Sequence, residues 1–185
     1  MNSSQGIILK IISLLIFACS NGEINEEAVA PEQIQLKVIG RGTSVGQPKT
    51  IVHPTTGETL RPNCFLMDLA HPETGSIIGT LQDCIVDMHI PSDGTITSTV
   101  ITSINIHGRG TIQAENIIFH EIRPPVNELN FDTSFTPIEN NVIDTTHEFE
   151  GMEGTVSLEG EVSFADFDKG ILIFNSLFTI NLQSD

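Results

Sequence analysis

The sequence predicts an all-β protein built from antiparallel strands, and three observations support this prediction. In the segment Thr155–Phe164, apolar and polar residues alternate with a period of two, which is typical of a strand with one buried face. The segment Gly170–Leu182 repeats the pattern after a turn-rich break, so the two segments predict a hairpin. No window combines sustained helical periodicity with caps, so we expect little helix. The inward face of the hairpin is predicted to comprise Val156, Leu158, Val162, Phe164, Phe174, Phe178 and Ile180.

Earlier segments predict further strands, for a total of seven or eight, and such a set is typical of a barrel or a sandwich. These strands are predicted at Ile34–Ile39, Asn63–Leu69, Ser76–Ile90, Ile96–His107 and Gly110–Ile122. The stretch Arg123–Asn141 holds three prolines and little alternation, and we interpret it as a long loop. We assign residues 33–185 to one β domain, which at about 150 residues is long enough to bury a core.

The chain is strongly acidic, with 24 Asp and Glu residues against 8 Lys and Arg residues and a formal net charge of −16. Proteins that bind nucleic acids contact phosphates through clustered Lys and Arg. We therefore expect no nucleic-acid partner. Beyond the N-terminal segment, the sequence holds no run of about 18 or more apolar residues of the kind that spans a membrane as a helix.

The N-terminus has the pattern of a secretory signal, because its apolar stretch Ile11–Ala18 is too short to span a bilayer. The end of that stretch, Ile16-Phe17-Ala18-Cys19, resembles a bacterial lipobox, in which an aliphatic and a small residue precede the cysteine. The resemblance implies a lipoprotein, with residues 1–18 as signal peptide, acyl chains on Cys19 and residues 19–32 as an acidic tether. We expect the protein in the bacterial cell envelope, anchored to the outer membrane. The alternative is an ordinary signal peptide with a coincidental cysteine.

Four histidines stand beside turn signals at regular intervals. The motif HPTTG begins at His53, HPETG at His71, HIPSDG at His89 and HGRG at His107. Proline presets the first corner of a turn and glycine accepts a positive φ, so the repeat marks turns. A single strand over Ser76–Ile90 places His71 and His89 at opposite ends of the sheet. Metal ligands must converge to within about 2 Å of one ion, so we predict no shared metal.

The two remaining cysteines, Cys64 and Cys84, flank the HPETG turn almost symmetrically. If Asn63–Leu69 pairs with Ser76–Ile90 about a centre near Thr74, positions that sum to 148 face each other, and the cysteines satisfy this sum. A four-residue loop would change the sum to 147, and a bulge would restore it. Opposed residues with Cα atoms about 5.5 Å apart or less are within disulfide range. A signal peptide implies an oxidising compartment, which favours a disulfide; the alternative is two buried free thiols.

Three stretches of the chain resemble the allene oxide cyclase and dirigent family of barrels. They are MDLAHPETGSIIGTLQDC (Met67–Cys84), HGRGTIQAENIIF (His107–Phe119) and DTTHEFEGMEGTVSLEGEV (Asp144–Val162), and the last is similar to the family's glycine-rich entry to the final hairpin. In it, Thr146, Phe149, Gly151 and Gly154 fall on the family pattern, whereas Asp144, Thr145, His147 and Met152 depart from it. The resemblance implies an antiparallel eight-stranded β-barrel with a lined cavity.

The family's cyclases steer a reactive intermediate by the shape of the cavity, so the resemblance also implies ligand binding or a cyclase- or isomerase-like reaction. No residue of this chain matches a polar residue of those cyclases well enough to carry over a role, and we assign no catalytic residue. No Ser-His-Asp signature, phosphate-binding loop, HExxH motif or twelve-residue calcium loop occurs, and we expect no cofactor.

The candidate cavity residues come from the predicted strand Ser76–Ile90. We predict that its inward face comprises Ile78, Thr80, Gln82, Cys84, Val86, Met88 and Ile90. On this assignment Thr80, Gln82 and Met88 line the cavity, and Gln82 could orient a ligand's polar atom. The alternative is that a buried glutamine is satisfied by the backbone. Asp83 and Asp87 are assigned to the solvated outer face.

Three functions follow from this reading of the sequence. The first is a lipid-anchored barrel that binds a small apolar ligand in its cavity. The second is a cyclase- or isomerase-like enzyme acting on a hydrophobic substrate in the same cavity, and the third is a surface interaction module with a packed barrel. An enlarged cavity with converging polar groups would favour the enzyme, whereas an apolar or filled interior would favour the other two. The sequence determines neither the ligand nor the oligomeric state.

Overall fold

The computed structural model describes residues 32–90, 96–123 and 129–184, and within them the chain is all-β. The strands are β1 (Gln33–Val45), β2 (Gln47–Pro48), β3 (Ile51–Val52), β4 (Thr59–Leu60), β5 (Asn63–Ala70), β6 (Ile77–His89), β7 (Ile96–Ile106), β8 (Gly110–Ile122), β9 (Asn130–Phe135), β10 (Val142–Thr145), β11 (Glu153–Ser163) and β12 (Ile171–Gln183). The helical content of this part is two three-residue 3-10 turns, His147–Phe149 and Phe167–Lys169. None of its helices is long and apolar enough to cross a membrane.

Eight of the strands pair in a closed ring, in the order β1-β12-β11-β9-β8-β7-β6-β5, with β5 pairing back to β1. The pairings around the ring are antiparallel. The longest run in register joins the first strand to the last, from Gln33 opposite Gln183 to Val45 opposite Ile171. The predicted all-β antiparallel class with little helix is confirmed.

The closing hairpin is confirmed in its pairing and in its buried face. β11 pairs with β12, and Leu158 lies opposite Phe178. The seven residues predicted to face inward are all buried, from 0% exposed at Val156, Phe178 and Ile180 to 8% at Phe164. Strict alternation decides this register, because a slip of one residue would move every apolar side chain to the solvent side.

The prediction of a long loop over Arg123–Asn141 is wrong, because β9 lies within it and pairs with both β8 and β11. β9 buries Phe131 and Thr133 and exposes Asp132 and Ser134, so it does alternate. The strand is only six residues long, and a threonine fills one of its buried positions, which hides the alternation in the sequence. β10 was also not predicted; it pairs with the part of β8 that β9 does not reach.

A cluster of buried apolar side chains occupies the inside of the ring. Leu81 of β6 comes so close to β1 that a Cβ on Gly40 would lie 2.4 Å from its Cδ2 atom. At one end of the ring, Phe167 connects the two sides, with its ring centroid 6.3 Å from that of Phe65 and 5.2 Å from that of Phe164. At the other end Phe149 is fully buried. Turns that carry phenylalanines therefore close both ends.

Candidate functional site

The structure joins Cys64 and Cys84 by a disulfide with an S–S distance of 2.04 Å and a Cα–Cα distance of 4.0 Å. The two cysteines are opposed in the register between β5 and β6. Next to the loop, Ala70 lies opposite Ile77, and a shift between Leu69 and Ala70 restores the register that the cysteines require. The structure thus has the loop offset together with a bulge, which is one of the two registers that the sequence allowed.

The assignment of the inward face of β6 was wrong for Thr80 and Gln82. The buried residues there are Gly79, Leu81 and Asp83. Thr80 lies opposite exposed Asp68 and Gln82 lies opposite Leu66, which is 58% exposed. Opposed residues point to the same side of a sheet, so both candidates lie on the outer face. The Gln82 amide there bonds to Lys49 Nζ and lies 3.3 Å from Cys84 Sγ.

A bulge explains why the third candidate, Met88, differs from the other two. The register between β6 and β7 shifts between Ile85 and Asp87, so the alternation changes face at this point. Met88 is therefore packed against the core, as Ile85 is before the bulge. A strict period of two over the whole strand assigns one half of it to the wrong face.

The segment of residues 46–62, which we call the outer flap, covers part of the outer face. Cys64, Cys84, Ile101 and Glu115 lie opposite one another on four successive strands. Cys84 and Ile101 are only 1% and 5% exposed, although they share the outer face with exposed Leu66. The flap crosses this row: it pairs with β5 at Cys64, bonds to β6 through Lys49 and reaches Glu115 on β8 through His53. The sequence predicts Cys84 on the inward face, whereas the disulfide lies on the outer face, where the flap buries it.

The HPTTG and HPETG motifs form the same turn. In each, the histidine carbonyl accepts a hydrogen bond from the glycine N–H four residues later, Gly57 in one motif and Gly75 in the other. Both glycines have positive φ, of 71° and 67°. The imidazole Nδ1 accepts a backbone N–H two residues on, at 3.2 Å in both turns. The histidines therefore build turns, as the repeat indicated.

The histidines are spread over the fold. β6 begins just after the His71 turn and ends at His89, so these two lie at opposite ends of the ring, as predicted. His53 is in the outer flap, and His107 lies in the turn between β7 and β8. In the described ranges, no group of three or more His, Cys, Asp or Glu side chains is arranged to hold a metal ion.

The interior contains a chain of hydrogen bonds that ends on a carboxylate. Asn141 Nδ2 donates to Asn116 Oδ1 at 2.8 Å, and Asn116 Nδ2 donates to Thr102 Oγ1 at 2.8 Å. The Thr102 hydroxyl in turn bonds to Asp83. Burial raises the pKa of Asp83 to about 6, and the bond from Thr102 opposes that rise. Asp83, assigned to the solvated face from the sequence, is in fact 4% exposed.

A second buried polar group is His120, which is 4% exposed. Its Nε2 atom lies 2.8 Å from Ser98 Oγ. The rings of Phe131 and Phe164 pack edge-on against the imidazole, with centroid distances of 6.3 and 5.3 Å. Burial lowers the pKa of His120 to about 4, so the imidazole is neutral at physiological pH.

Sequence reasoning missed these interior polar residues, although β8 carries a readable signal. Its buried positions follow a strict period of two and are Ile112, Ala114, Asn116, Ile118 and His120. An asparagine and a histidine at the apolar positions of an alternating strand indicate buried polar groups, which need partners. Asn141 carried no comparable signal, because it precedes a four-residue strand; its side chain bridges β8 and β11 through Glu115 O and Val156 O.

The outer face beside β9 carries carboxylates in register. Asp132 lies opposite Glu121 on one side and opposite Glu161 on the other, and all three are exposed. Like charges directly opposite one another destabilise a sheet. Arg123 offsets part of this repulsion through bonds to Asp132, at 3.6 Å, and to Glu161.

An open groove of about 570 Å³ runs across this acidic row. Its lining includes Glu121, Asp132, Glu159 and Glu161, together with the aliphatic side chains of Ile39 and Leu177. Exposed apolar residues continue the same face: Phe119 lies opposite Ser134 at the groove and is 47% exposed, and Ile117, two residues before it on β8, is 52% exposed. We call this combined surface the acidic groove.

Cys19 lies outside the described residues, so its lipidation stays a prediction. Comparisons of the chain with protein-family models, with curated proteins and with solved structures find no match.

Proposed function

We propose that this protein is a lipid-anchored interaction module of the bacterial cell envelope, in which a filled eight-stranded barrel presents the acidic groove to a basic protein partner. The proposal selects the third of the functions that the sequence left open. It rests on the nature of the interior and on the chemistry of the outer face.

The closed ring of eight pairings supports a barrel, because closure removes the free sheet edges. The interior supports a structural role for that barrel. Phenylalanines occupy it and the turns close both ends, and Leu81 packs against Gly40 with β5 between their strands. A filled interior favours a protein that acts through its surface.

The observation that carries the proposal is the row formed by Glu121, Asp132 and Glu161 on three neighbouring strands. Folding alone gives no reason for three carboxylates in direct opposition, because this arrangement costs stability. The row is only partly neutralised, by Arg123. A partner that brings several Lys or Arg side chains would relieve the repulsion and gain charge complementarity.

The apolar residues of the groove indicate that the partner carries apolar side chains in addition to basic ones. Leu177 and Ile39 lie opposite each other beside Glu159, and Phe119 continues the apolar surface beyond Ser134. Exposed apolar residues rimmed by charge mark interaction sites. The partner that fits is therefore an extended or helical segment with basic and aliphatic residues side by side.

An acyl anchor on Cys19 would hold the β domain near a membrane surface. Acyl chains on Cys19 would hold the β domain through the acidic segment of residues 19–32, which suits a solvated tether. Anchoring at the outer membrane would raise the effective concentration of the module near envelope partners.

The first two functions are less well supported. Binding of a small apolar ligand inside the ring, or a cyclase- or isomerase-like reaction there, requires space that the phenylalanines occupy. The resemblance to allene oxide cyclase and dirigent barrels stays a prediction about the architecture and assigns no residue a catalytic role.

Binding of a labelled peptide tests the proposal. The probe is a short fluorescent peptide of alternating Lys and Leu, measured by anisotropy with the full-length protein in detergent, and a Glu–Leu peptide is the negative probe. The groove variant combines Glu121→Gln, Asp132→Asn and Glu161→Gln. We expect it to bind the basic peptide about tenfold more weakly, because each exposed ion pair contributes up to about 1 kcal/mol.

A matched variant controls for the overall charge. Glu58→Gln, Glu73→Gln and Asp144→Asn together change the formal charge from −16 to −13, as the groove variant does, at exposed sites away from the groove. The proposal requires this variant to bind like the wild type. Equal weakening in both variants would show that the peptide senses only net charge, and the proposal would then be wrong.

A further inference from the structure

Four buried side-chain atoms in the described ranges lack a hydrogen-bond partner. They are Asp83 Oδ1, His120 Nδ1, Thr133 Oγ1 and Ser176 Oγ. A buried polar atom without a partner costs free energy, so each one in a native protein calls for a bound species or a functional reason. The last three of these atoms belong to residues that are 4%, 2% and 1% exposed.

These three residues lie on one row across the inner face. His120 is opposite Thr133, Thr133 is opposite Gly160, and Gly160 is opposite Ser176. Opposed side chains on neighbouring strands have Cβ atoms about 5 Å apart, so the His120 and Thr133 groups can share one bound atom.

Gly160 extends the row to the third group. A Cβ at this position would lie 2.5 Å from Ser176 Oγ, so the serine hydroxyl occupies the space that a side chain would fill. The hydroxyl therefore leans over Gly160, toward the strand that carries Thr133. A Cβ there would also lie 2.4 Å from Asn175 O, so the absence of a side chain at Gly160 lets β11 and β12 approach closely at this row.

We infer that His120, Thr133 and Ser176 form an internal binding site for a small uncharged molecule that both donates and accepts hydrogen bonds. The two hydroxyls can each donate and accept, and the imidazole offers Nδ1 because Nε2 is taken by Ser98. The walls beside the imidazole are the rings of Phe131 and Phe164, which give a charged group no compensation.

Water has this chemistry, and it is small enough for an interior that phenylalanines occupy. Thr133 and Gly160 also line the acidic groove, but the site uses buried side-chain atoms on the inner face of the ring. The experiments on the site and on partner binding therefore use different side chains.

A high-resolution crystal structure of the wild type and of Thr133→Val tests the site. We expect density within hydrogen-bonding distance of at least two of the three atoms in the wild type, and its loss in the variant, which keeps the shape of threonine but removes the hydroxyl. A site without density in the wild type would overturn the inference. An organic ligand would instead add mass to the wild type in native mass spectrometry, and that result would contradict the assignment of the site to water.

Unfolding in urea gives a second, independent readout. We expect Thr133→Val and Ser176→Ala to lower the urea midpoint, because each would remove a bonded hydroxyl. Thr102→Val is the positive control, since the Thr102 hydroxyl accepts from Asn116 at 2.8 Å. Removal of a hydroxyl that had no partner would raise the midpoint, and a rise in both variants would count against the site.

Discussion

His53 Nε2 lies 3.5 Å from Glu115 Oε2, and this contact fastens the tip of the outer flap to β8. The His53 side chain is 10% exposed and that of Glu115 is 42% exposed. Nδ1 of the same imidazole accepts the backbone N–H groups of Thr55 and Thr56. One histidine therefore shapes the turn of the flap with one ring nitrogen and holds the flap in place with the other.

We predict that Glu115→Ala loosens the flap without unfolding the ring. A hydrogen bond to a partly exposed carboxylate contributes about 0.5–1 kcal/mol, so amide exchange at His53 and Gly57 should accelerate about two- to fivefold. Hydrogen exchange followed by NMR measures this. The HPETG turn is an internal control, because it has the same turn geometry without a carboxylate contact in the described structure, and exchange at Gly75 should stay unchanged. Equal acceleration in both turns would mean that the effect is global.

The stability of the protein should show two opposed pH dependences. The pKa of Asp83 is raised from 3.8 to about 6, so the folded protein holds this proton more tightly and the stability from Asp83 is lost as the pH rises through that window. The pKa of His120 is lowered from 6.5 to about 4, so its contribution is lost as the pH falls through the corresponding window. A pKa difference of this size corresponds to about 3 kcal/mol, and between about pH 4 and 6 the two contributions nearly cancel.

Single substitutions should separate these two effects. In the Asp83→Asn variant only the His120 contribution remains. We therefore expect its free energy of unfolding to rise by about 3 kcal/mol as the pH increases from 4 to 6, whereas that of the wild type changes little. With His120→Gln, we expect a change of similar size in the opposite direction. Urea titrations across this pH range measure how the free energy of unfolding of each variant changes with pH. This pH dependence can be compared even if a substitution lowers stability by a constant amount. Parallel profiles for the two variants would show that the assignments are wrong.

The closing hairpin provides a test of its two faces. Phe178→Ala should lower the free energy of unfolding by about 3–5 kcal/mol, the range for truncation of a buried phenylalanine. Glu159→Ala, one row position away on the outer face, should change it by no more than about 0.5 kcal/mol. Phe178 is opposite Leu158 and Glu159 is opposite Leu177, so both changes lie in the same pair of strands. A larger effect from Glu159→Ala in a denaturant titration would reverse the assignment of the faces.

Lipidation should depend on Cys19 alone. Changing Cys19 to Ala should move the protein from the membrane fraction to the soluble fraction, since acyl chains supply the anchor. Cell fractionation and mass analysis of the N-terminal peptide measure this. Cys64→Ala together with Cys84→Ala is the matched control, because it removes the disulfide and leaves the lipobox intact. A Cys19→Ala protein that stays in the membrane fraction with an unmodified N-terminal peptide would disprove the prediction.

The sequence was sufficient to predict the register of strands that have one apolar face and one polar, solvent-exposed face. β11 and β12 meet this condition along their length, so their register was predictable. β9 does not meet it, because it is short and buries a threonine beside one phenylalanine. In such a short strand, the alternation of apolar and polar residues covers too few positions to distinguish the strand from a loop.

The candidate site was harder to predict, since it depends on which face of β6 is buried and on what covers the other. The bulge after Ile85 changes the face within the strand, and the outer flap buries Cys84 from outside. Both effects lead to outward residues being assigned to the inner face when one uniform alternation is assumed for the whole of β6. The chain of hydrogen bonds that ends at Asp83 draws on β7, β8 and the segment before β10, which no local pattern in the sequence connects.

The pairing of the first strand with the last determines when this molecule can finish folding. β1 and β12 are joined over thirteen residues, from Gln33 opposite Gln183 to Val45 opposite Ile171. During synthesis or export, β1 must therefore wait for a segment that emerges more than a hundred residues later. Contacts so distant along the chain form slowly, because a long loop must close first. Until then β1 and β11 each present an unpaired edge, so the unfinished chain is open to pairing with other molecules, a vulnerability that disappears when β12 arrives.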